Sequence, residues 1–142
     1  MKFLYKKFPL SERNSYFGSS LLKPIINVKI KFETRELRYD VLIDSGADFC
    51  IFDAEIGEYL GIDIQSGIKV GFGGIQESKR AVAYLHNVIL IIGGYEYKTT
   101  VGFSYDIARN GYGILGQKGF FELFTVIFGY LKEEIELREK KS

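Results

Sequence analysis

Apolar and polar residues alternate with a period of two along much of the chain. Residues 26–32 and 37–43 each place an apolar side chain at every second position, with charged or polar side chains between them except at Leu42. This period is typical of half-buried β-strands, and the polar residues between the two runs predict a hairpin. Similar runs predict further strands at residues 49–52, 68–70, 81–85, 88–92, 97–103, 125–128 and 134–138.

Two segments have helical patterns instead. Residues 53–60 begin at Asp53, a candidate N-cap, and are followed by Gly61, which is a frequent helix stop. Residues 120–124 are predicted to form a second short helix with a strong apolar face. The sequence therefore predicts a mainly β fold with one or two short helices.

Length and composition are those of one soluble globular domain. The chain has 142 residues, of which 46% are hydrophobic and 26% charged, and its formal net charge is +1. We interpret residues 1–20, where lysines mix with aromatic and polar residues, as an N-terminal arm, and residues 21–142 as the domain. The near-zero charge gives no electrostatic basis for binding nucleic acid. The longest strictly apolar run, Val88–Ile92, is far too short to cross a bilayer, so we expect no membrane association and a cytoplasmic location.

The strand predicted at residues 37–43 leads directly into an aspartate. Asp44 is followed by a serine, a glycine and an alanine, and then by Asp48. This order places a carboxylate at the end of an apolar strand, on a turn that only small residues can make. Such a carboxylate is a candidate for general acid or base chemistry.

Two further segments follow in the chain. Residues 70–76 read Val-Gly-Phe-Gly-Gly-Ile-Gln, a glycine-rich hairpin tip between two strand-like runs. Residues 113–116 read Gly-Ile-Leu-Gly, and the predicted helix at residues 120–124 comes shortly after them. The Asp44 motif and these two segments, in this order over nearly the whole chain, resemble the signatures of single-lobe retropepsin-like aspartic proteases. That family is found in retroviruses and also in cellular and bacterial genomes.

The resemblance implies a single-lobe acid-protease barrel with a flap hairpin, and an aspartic endopeptidase acting on peptide or protein substrates. Asp44 would be the catalytic residue. The resemblance implies that the catalytic loop is supported by Ser45, Gly46 and Ala47. The substrate would be contacted by Asp48, by the flap tip at Gly73, Gly74 and Ile75, and by pockets lined by Leu42, Ile51 and Ile114. We expect no cofactor and no metal ion.

One aspartate motif implies a homodimer. Aspartic protease chemistry needs two carboxylates that share a proton and a water, and the chain contains a single Asp-Thr/Ser-Gly motif. The partner of Asp44 would then be Asp44 of a second chain across a two-fold axis. The resemblance also implies that terminal strands of the two chains interleave, drawn here from the N-terminal arm and from residues 133–138.

The chain departs from the retroviral pattern at two positions. Gln117 stands where an arginine usually pairs with the aspartate at the Asp48 position, so this ion pair is lost or moved to Lys118. Ser45 replaces the more common threonine, a change that the family tolerates. Neither change removes the predicted pair of aspartates.

Other functions remain alternatives. The chain could be a catalytically silent retropepsin-like dimer that binds extended peptides by strand addition. A phosphoryl-transfer enzyme with Asp44 as nucleophile would need an acid two positions later, where Gly46 stands. Cys50 lies in an apolar run and is predicted to be a buried, inert thiol. His86 is the only histidine, so cysteine-protease and zinc-hydrolase functions lack the residues they need.

Overall fold

The computed structural model of the chain describes residues 1–73, 80–107 and 111–140. Within these residues the strands are β1 (Lys2–Leu4), β2 (Lys6–Asn14), β3 (Gly18–Lys23), β4 (Ile25–Phe32), β5 (Arg35–Ile43), β6 (Ile51–Asp53), β7 (Ile68–Phe72), β8 (Ala81–Ile92), β9 (Tyr95–Ser104), β10 (Gly113–Leu115), β11 (Phe124–Gly129) and β12 (Glu134–Glu139). The helix α1 spans Ala54–Tyr59, and a single turn of 3-10 helix spans Ile64–Ser66.

The hairpin predicted from the first alternating runs is confirmed as β4 and β5. The two strands pair in antiparallel register, with Ile26 opposite Val41 and Val28 opposite Tyr39. These four side chains are buried, whereas Asn27, between Ile26 and Val28, is exposed. The period of two therefore places one face of the hairpin in the core, and β5 ends directly before Asp44.

Six strands close into a barrel. They follow the order β4-β5-β10-β6-β9-β8, and β8 pairs again with β4 through Ile30 and Leu90. The short strand β10 runs parallel to β5 and antiparallel to β6. The strand β7 pairs with the first residues of β8, on the edge where β4 pairs farther along. Because β10 pairs with the last residues of β5, the segment after β10 emerges beside Asp44.

The barrel core is built largely from aromatic and branched side chains. Phe52 and Phe103 are fully buried and meet edge to face at 6.0 Å between ring centres, and Tyr39 packs on Phe52 in the same way at 5.4 Å. Burial raises the pKa of Tyr39 to about 12, and its hydroxyl accepts a hydrogen bond from the backbone N–H of Asp53. This contact joins β5 to the start of α1.

The helix predicted at residues 53–60 is confirmed as α1. Asp53 is its N-cap, and the Asp53 side chain accepts a hydrogen bond from the N–H of Glu55 at 3.0 Å. Within residues 1–73, 80–107 and 111–140, no helix is long and apolar enough to cross a membrane.

The helix predicted at residues 120–124 is wrong. This segment forms consecutive turns, in which Phe124 N–H bonds to the Phe120 carbonyl at 3.2 Å. Phe120 and Phe124 are both buried, and Phe124 already pairs with Glu139 as the first residue of β11. One helical hydrogen bond fixes several backbone dihedrals and gains little, so the strand pairing prevails over helix propagation.

The chain termini form a separate three-stranded sheet, here called the terminal sheet, in the order β1-β12-β11. Ile135 and Leu137 of β12 are buried at 0% and 1% exposure and belong to the main core. Both edges of β12 are paired within the same chain, with β1 on one side and β11 on the other. The expectation that residues 133–138 interleave with a second chain is therefore wrong for this strand, because its edges and its apolar face are already occupied.

The N-terminal segment is more ordered than its sequence indicates. After β1, the strands β2 and β3 pair with each other in a two-stranded hairpin. We call this hairpin, residues 6–23, the arm. The division of the chain into residues 1–20 and 21–142 stays a prediction.

Candidate active site

The Asp44 loop, residues 44–48, begins where β5 ends. The N–H of Asp44 donates to the carbonyl of Leu115 at 3.0 Å, which continues the pairing of β5 with β10 by one step. Asp44 Oδ1 accepts a hydrogen bond from the N–H of Gly46 at 2.9 Å, and the Asp44 carbonyl accepts from Ala47 at 3.2 Å. The carboxylate is half-buried and held by its own loop.

The segment after β10 supports this loop from behind. The N–H groups of Gln117 and Lys118 donate to the carbonyls of Ala47 and Asp48, at 2.8 and 2.9 Å. The Gln117 side chain adds a third bond, because its Nε2 donates to the Ser45 carbonyl at 2.7 Å. The loop is thus fixed along its length by a segment that is distant in sequence.

Gly116 lets the two segments approach closely. A Cβ atom at this position would lie 2.3 Å from the carbonyl oxygen of Phe49 and 2.8 Å from that of Ala47. Both neighbours are backbone atoms, so they cannot turn away as a side chain could. Only glycine fits where residue 116 passes behind the Asp44 loop.

Cys50 lies in the same contact and is buried, as the sequence predicts. Its Sγ accepts a hydrogen bond from the N–H of Gly116 at 3.4 Å and donates to the Lys118 carbonyl at 3.5 Å. Burial raises the pKa of the Cys50 thiol to about 12, against a smaller lowering by the Gly116 N–H. The thiol stays protonated and is a structural contact rather than a nucleophile.

The three predicted pocket residues lie in one row. Ile114 of β10 pairs with Leu42 on one side and with Ile51 on the other. Directly paired residues point to the same face of a sheet, so these side chains share a face. Leu42 and Ile114 are half-buried, whereas Ile51 is 5% exposed. The same row continues across the sheet to Gly102 and Leu85.

A pocket of about 430 Å³ opens beside the Asp44 loop. Its walls come from the loop, from the strands β7, β8 and β9, and from the segment after β10. The lining residues are Asp48, Phe49, Val70, Leu85, Thr100, Lys118, Gly119 and Glu122. Phe49 also packs edge to face on Phe72 at 5.9 Å, which joins the loop to β7. Another pocket of similar volume, between β4, β8 and β9, includes no residue of the Asp44 loop.

Sequence reasoning missed the apolar wall of this pocket. Val70 pairs with Ala83 and Ile68 pairs with Leu85, so the same face of β7 and β8 turns toward Phe49. The alternation of apolar residues in both strands carried this signal. The sequence does not show which face of β7 and β8 lies against the Asp44 loop, because this depends on how β8 crosses the barrel.

The remaining predicted site residues are only partly described. Ser45 and Asp48 are exposed, and Gly73 lies exposed at the end of β7 with a φ of +97°. Gly74 and Ile75 lie outside the described residues. Lys118 is linked to Asp48 through its backbone N–H, and the ion pairs between described residues do not include one between these two side chains.

No group of three or more histidine, cysteine, aspartate or glutamate side chains in the described part of the chain could hold a metal ion. The sequence matches no protein-family model, and no curated protein matches it.

The fold is similar to that of a solved retroviral enzyme. The structure of the EIAV protease complexed with the inhibitor HBY-793 matches with a TM-score of 0.50 and 22% sequence identity. The match covers 67% of this chain and 82% of that one. At this identity the likeness shows the fold alone: a mainly β, single-lobe, retropepsin-like acid-protease barrel.

Proposed function

We propose that this chain is an aspartic endopeptidase whose catalytic pair consists of Asp44 from each of two subunits. The observation that carries the proposal is the Asp44 loop itself. In a retropepsin-like barrel, it presents a half-buried carboxylate at a strand end and is held from behind by hydrogen bonds from Gln117 and Lys118. The EIAV protease, which has this fold, is a protease bound by an inhibitor in its structure.

The geometry of the Asp44 loop suits a catalytic carboxylate, which must be held in a fixed position and is not consumed by the reaction. Gly46 N–H fixes one oxygen of the Asp44 carboxylate and leaves the other for a partner. In the proposed dimer, one Asp44 accepts a proton from the attacking water while the other, protonated, donates to the scissile carbonyl. The water oxygen bonds to the carbonyl carbon, the amide nitrogen takes up a proton, and the carbon–nitrogen bond breaks.

The substrate would be an extended peptide lying between the Asp44 loop and β7. Asp48 is exposed beside the pocket and is assigned to the substrate main chain, while Phe49, Val70 and Leu85 accept a side chain. The row formed by Leu42, Ile51 and Ile114 supplies further apolar surface near Asp44. Gly73, with Gly74 and Ile75, is assigned to a flap that closes over the peptide and excludes water.

A second candidate is a catalytically silent module that binds extended peptides. It is favoured by the position of β7, which lies at the edge of the seven-stranded sheet in the described part of the chain. Such an edge can accept an added strand through backbone hydrogen bonds. This dimeric module would not require the Asp44 carboxylate.

A peptide-library cleavage assay of the wild type beside Asp44→Asn tests the proposal. We expect the wild type to cleave, with a maximum rate at acidic pH, and Asp44→Asn to retain its fold while losing cleavage. Mixing an excess of Asp44→Asn into the wild type should suppress activity, because mixed dimers carry one defective half-site. Cleavage that persists in Asp44→Asn would remove this residue from the mechanism. Peptide binding without cleavage by the wild type would favour the silent module.

A further inference from the structure

The arm has an exposed aromatic tip. Tyr16 is 86% exposed and Phe17 is 57% exposed, although both are large side chains that usually pack against other groups. The two rings meet edge to face at 4.9 Å, and the N–H groups of both residues donate to Asn14 Oδ1 at 2.8 and 3.0 Å. The tip is therefore ordered by its own contacts while its outer surface stays uncovered.

The root of the arm is tied to the barrel near the Asp44 loop. The carbonyl of Pro24, directly after β3, accepts a hydrogen bond from the N–H of Ile43 at 2.9 Å. Lys6 Nζ lies 2.8 Å from Asp40 Oδ2, and Lys7 Nζ lies 3.3 Å from Glu133 Oε1. The arm thus leaves the barrel next to the end of β5, directly before Asp44. If two Asp44 residues form a catalytic pair, the second subunit must lie on this side of the barrel.

The length of the arm sets how far its tip lies from this root. At about 3.3 Å per residue, the nine residues of β2 span roughly 25–30 Å. An arm of that length extends well beyond the immediate surroundings of its own root. Its tip is far enough from the root to reach a neighbouring molecule.

The terminal sheet has an exposed apolar end beside the same root. Leu4 of β1 is 72% exposed, and Tyr130 and Leu131, in the turn between β11 and β12, are 59% and 96% exposed. We call these three residues the sheet end. Tyr5, which joins β1 to the arm, packs edge to face on Tyr130 at 5.8 Å. Each subunit therefore carries the root of its arm and its sheet end next to each other.

The arm and the part of the terminal sheet formed by residues 132–139 also differ in charge. Residues 6–23 carry four basic side chains and one acidic side chain, whereas residues 132–139 carry four acidic and two basic ones. Lys6 and Lys7 already pair with Asp40 and Glu133 of the same chain, so the attraction between two chains rests on the remaining charges, which favour one docking orientation. In a two-fold dimer each contact occurs twice. If the arm of one subunit contacts the terminal sheet of its partner, the arm of the partner contacts the terminal sheet of the first subunit in the same way.

We propose that the arm clasps a second copy of this chain by placing Tyr16 and Phe17 on the sheet end of the partner subunit. This inference rests on the proposed function, which needs a second copy to complete the catalytic pair. It also supplies an interface that β12 cannot, because both edges of β12 are paired within its own chain. Ordered aromatic side chains suit this role, since little conformational freedom is lost when they bind.

A mixed cross-linking experiment tests the contact. One chain carries Phe17→Cys, the other carries Leu131→Cys, and the mixture is oxidised and separated without reductant. The native Cys50 is 0% exposed and stays unreactive. A disulfide needs Cα atoms within about 7 Å, so a covalent dimer that forms in the mixture and in neither variant alone reports a direct contact between residues 17 and 131 of two chains. The matched control pairs Leu131→Cys with Tyr59→Cys at the end of α1, which is 63% exposed against 57% for Phe17, and should not cross-link.

Loss of the tip should weaken the dimer. We expect Tyr16→Ser combined with Phe17→Ser to raise the dimer dissociation constant about tenfold or more, measured by sedimentation and by activity on one dilution series. Tyr59→Ser should leave it unchanged. A mixture that is dimeric and cleaves peptides but forms no cross-link overturns the arm contact and leaves the Asp44 pair intact. A monomer that cleaves at every dilution overturns the proposed function itself, and an inactive monomer overturns both.

Discussion

Gln117 donates its side-chain amide to the backbone carbonyl of Ser45 at 2.7 Å, across 72 residues of chain. Together with the backbone bond from Gln117 to Ala47, it holds both ends of the turn that follows Asp44. In the family that the sequence resembles, an arginine at this position pairs with a carboxylate. Here a neutral amide bonds to a carbonyl instead, so this contact supports the loop without an ion pair.

Gln117→Ala should reduce peptide cleavage with little loss of stability. The bond is exposed, so water can replace the lost donor and the free energy of unfolding should fall by less than about 1 kcal/mol. The loop that carries Asp44 would lose a positional restraint, and small displacements of catalytic groups cost about 10- to 100-fold in rate. The measurement is kcat and KM beside a denaturant unfolding curve.

Two further variants make that test specific. Gln117→Glu replaces the donor by an acceptor facing the Ser45 carbonyl and should be at least as harmful as Gln117→Ala. Gln65→Ala removes the same kind of side chain at an exposed position of the 3-10 turn Ile64–Ser66 and should behave like the wild type. Full activity in Gln117→Ala would show that the amide does not position the loop.

Gly116→Ala and Gly46→Ala should separate stability from activity. A Cβ on Gly116 would press on the backbone carbonyls of Phe49 and Ala47, so we expect a loss of about 2–4 kcal/mol in unfolding free energy. Among the described residues, a Cβ on Gly46 would meet only Asp44 Oδ1, at 3.2 Å, and should cost less stability while displacing the carboxylate. Equal unfolding curves for Gly116→Ala and Gly46→Ala would contradict the close approach of residue 116 to the backbone of Phe49 and Ala47.

Local patterns were sufficient to predict the elements that position Asp44. The alternation in residues 26–32 and 37–43 predicts β4 and β5, and Asp53 marks the start of α1. These signals depend on neighbours within a few residues, which the sequence displays directly. The mainly β, retropepsin-like fold was therefore predictable from strand patterns and three short motifs.

Features that depend on long-range packing were not predictable in the same way. Residues 120–124 are apolar almost all round, so their pattern could not show that β11 would begin at Phe124. The arm was not predicted as a hairpin, because Pro9 and the polar residues 11–15 break the alternation of β2 and β3. The bond from Gln117 to Ser45 joins two unremarkable residues that only the folded barrel brings together.

Leu85→Ala should change which peptides are cleaved. Leu85 forms part of the 430 Å³ pocket beside Asp48 and Phe49, and its truncation enlarges the space for a substrate side chain. Pocket changes of a few methylene groups alter discrimination by about 10- to 200-fold, so cleavage should shift toward bulkier side chains. The readout is kcat/KM over a library that varies one position at a time. Ile127→Ala, on the terminal sheet, is the matched control and should leave the preference unchanged.

Asp40 joins the arm to the barrel. Its Oδ1 accepts from Asn27 Nδ2 at 3.0 Å, and its Oδ2 lies 2.8 Å from Lys6 Nζ at the root of the arm. The hydrogen bond from Asn27, followed by the contact with Lys6, holds the pKa of the Asp40 carboxyl below its ordinary value of 3.8. A pKa lowered by folding means that the ionised form stabilises the folded state.

The contribution of Asp40 to stability should therefore depend on pH. It is fully present above the unfolded-state pKa, near 3.8, and is lost as the pH falls through the lower pKa of the folded state. At pH 7, Asp40→Asn should lower the free energy of unfolding by about 0.2–1 kcal/mol, the range for an ion pair that is partly exposed. The difference between wild type and variant should shrink toward zero in strong acid, as followed by denaturant unfolding across pH. Asp63→Asn, which removes an exposed carboxylate that makes no capping hydrogen bond, controls for the loss of one charge. A difference for Asp40→Asn that stays constant from pH 7 into strong acid would show that the ionised carboxylate does not stabilise this junction.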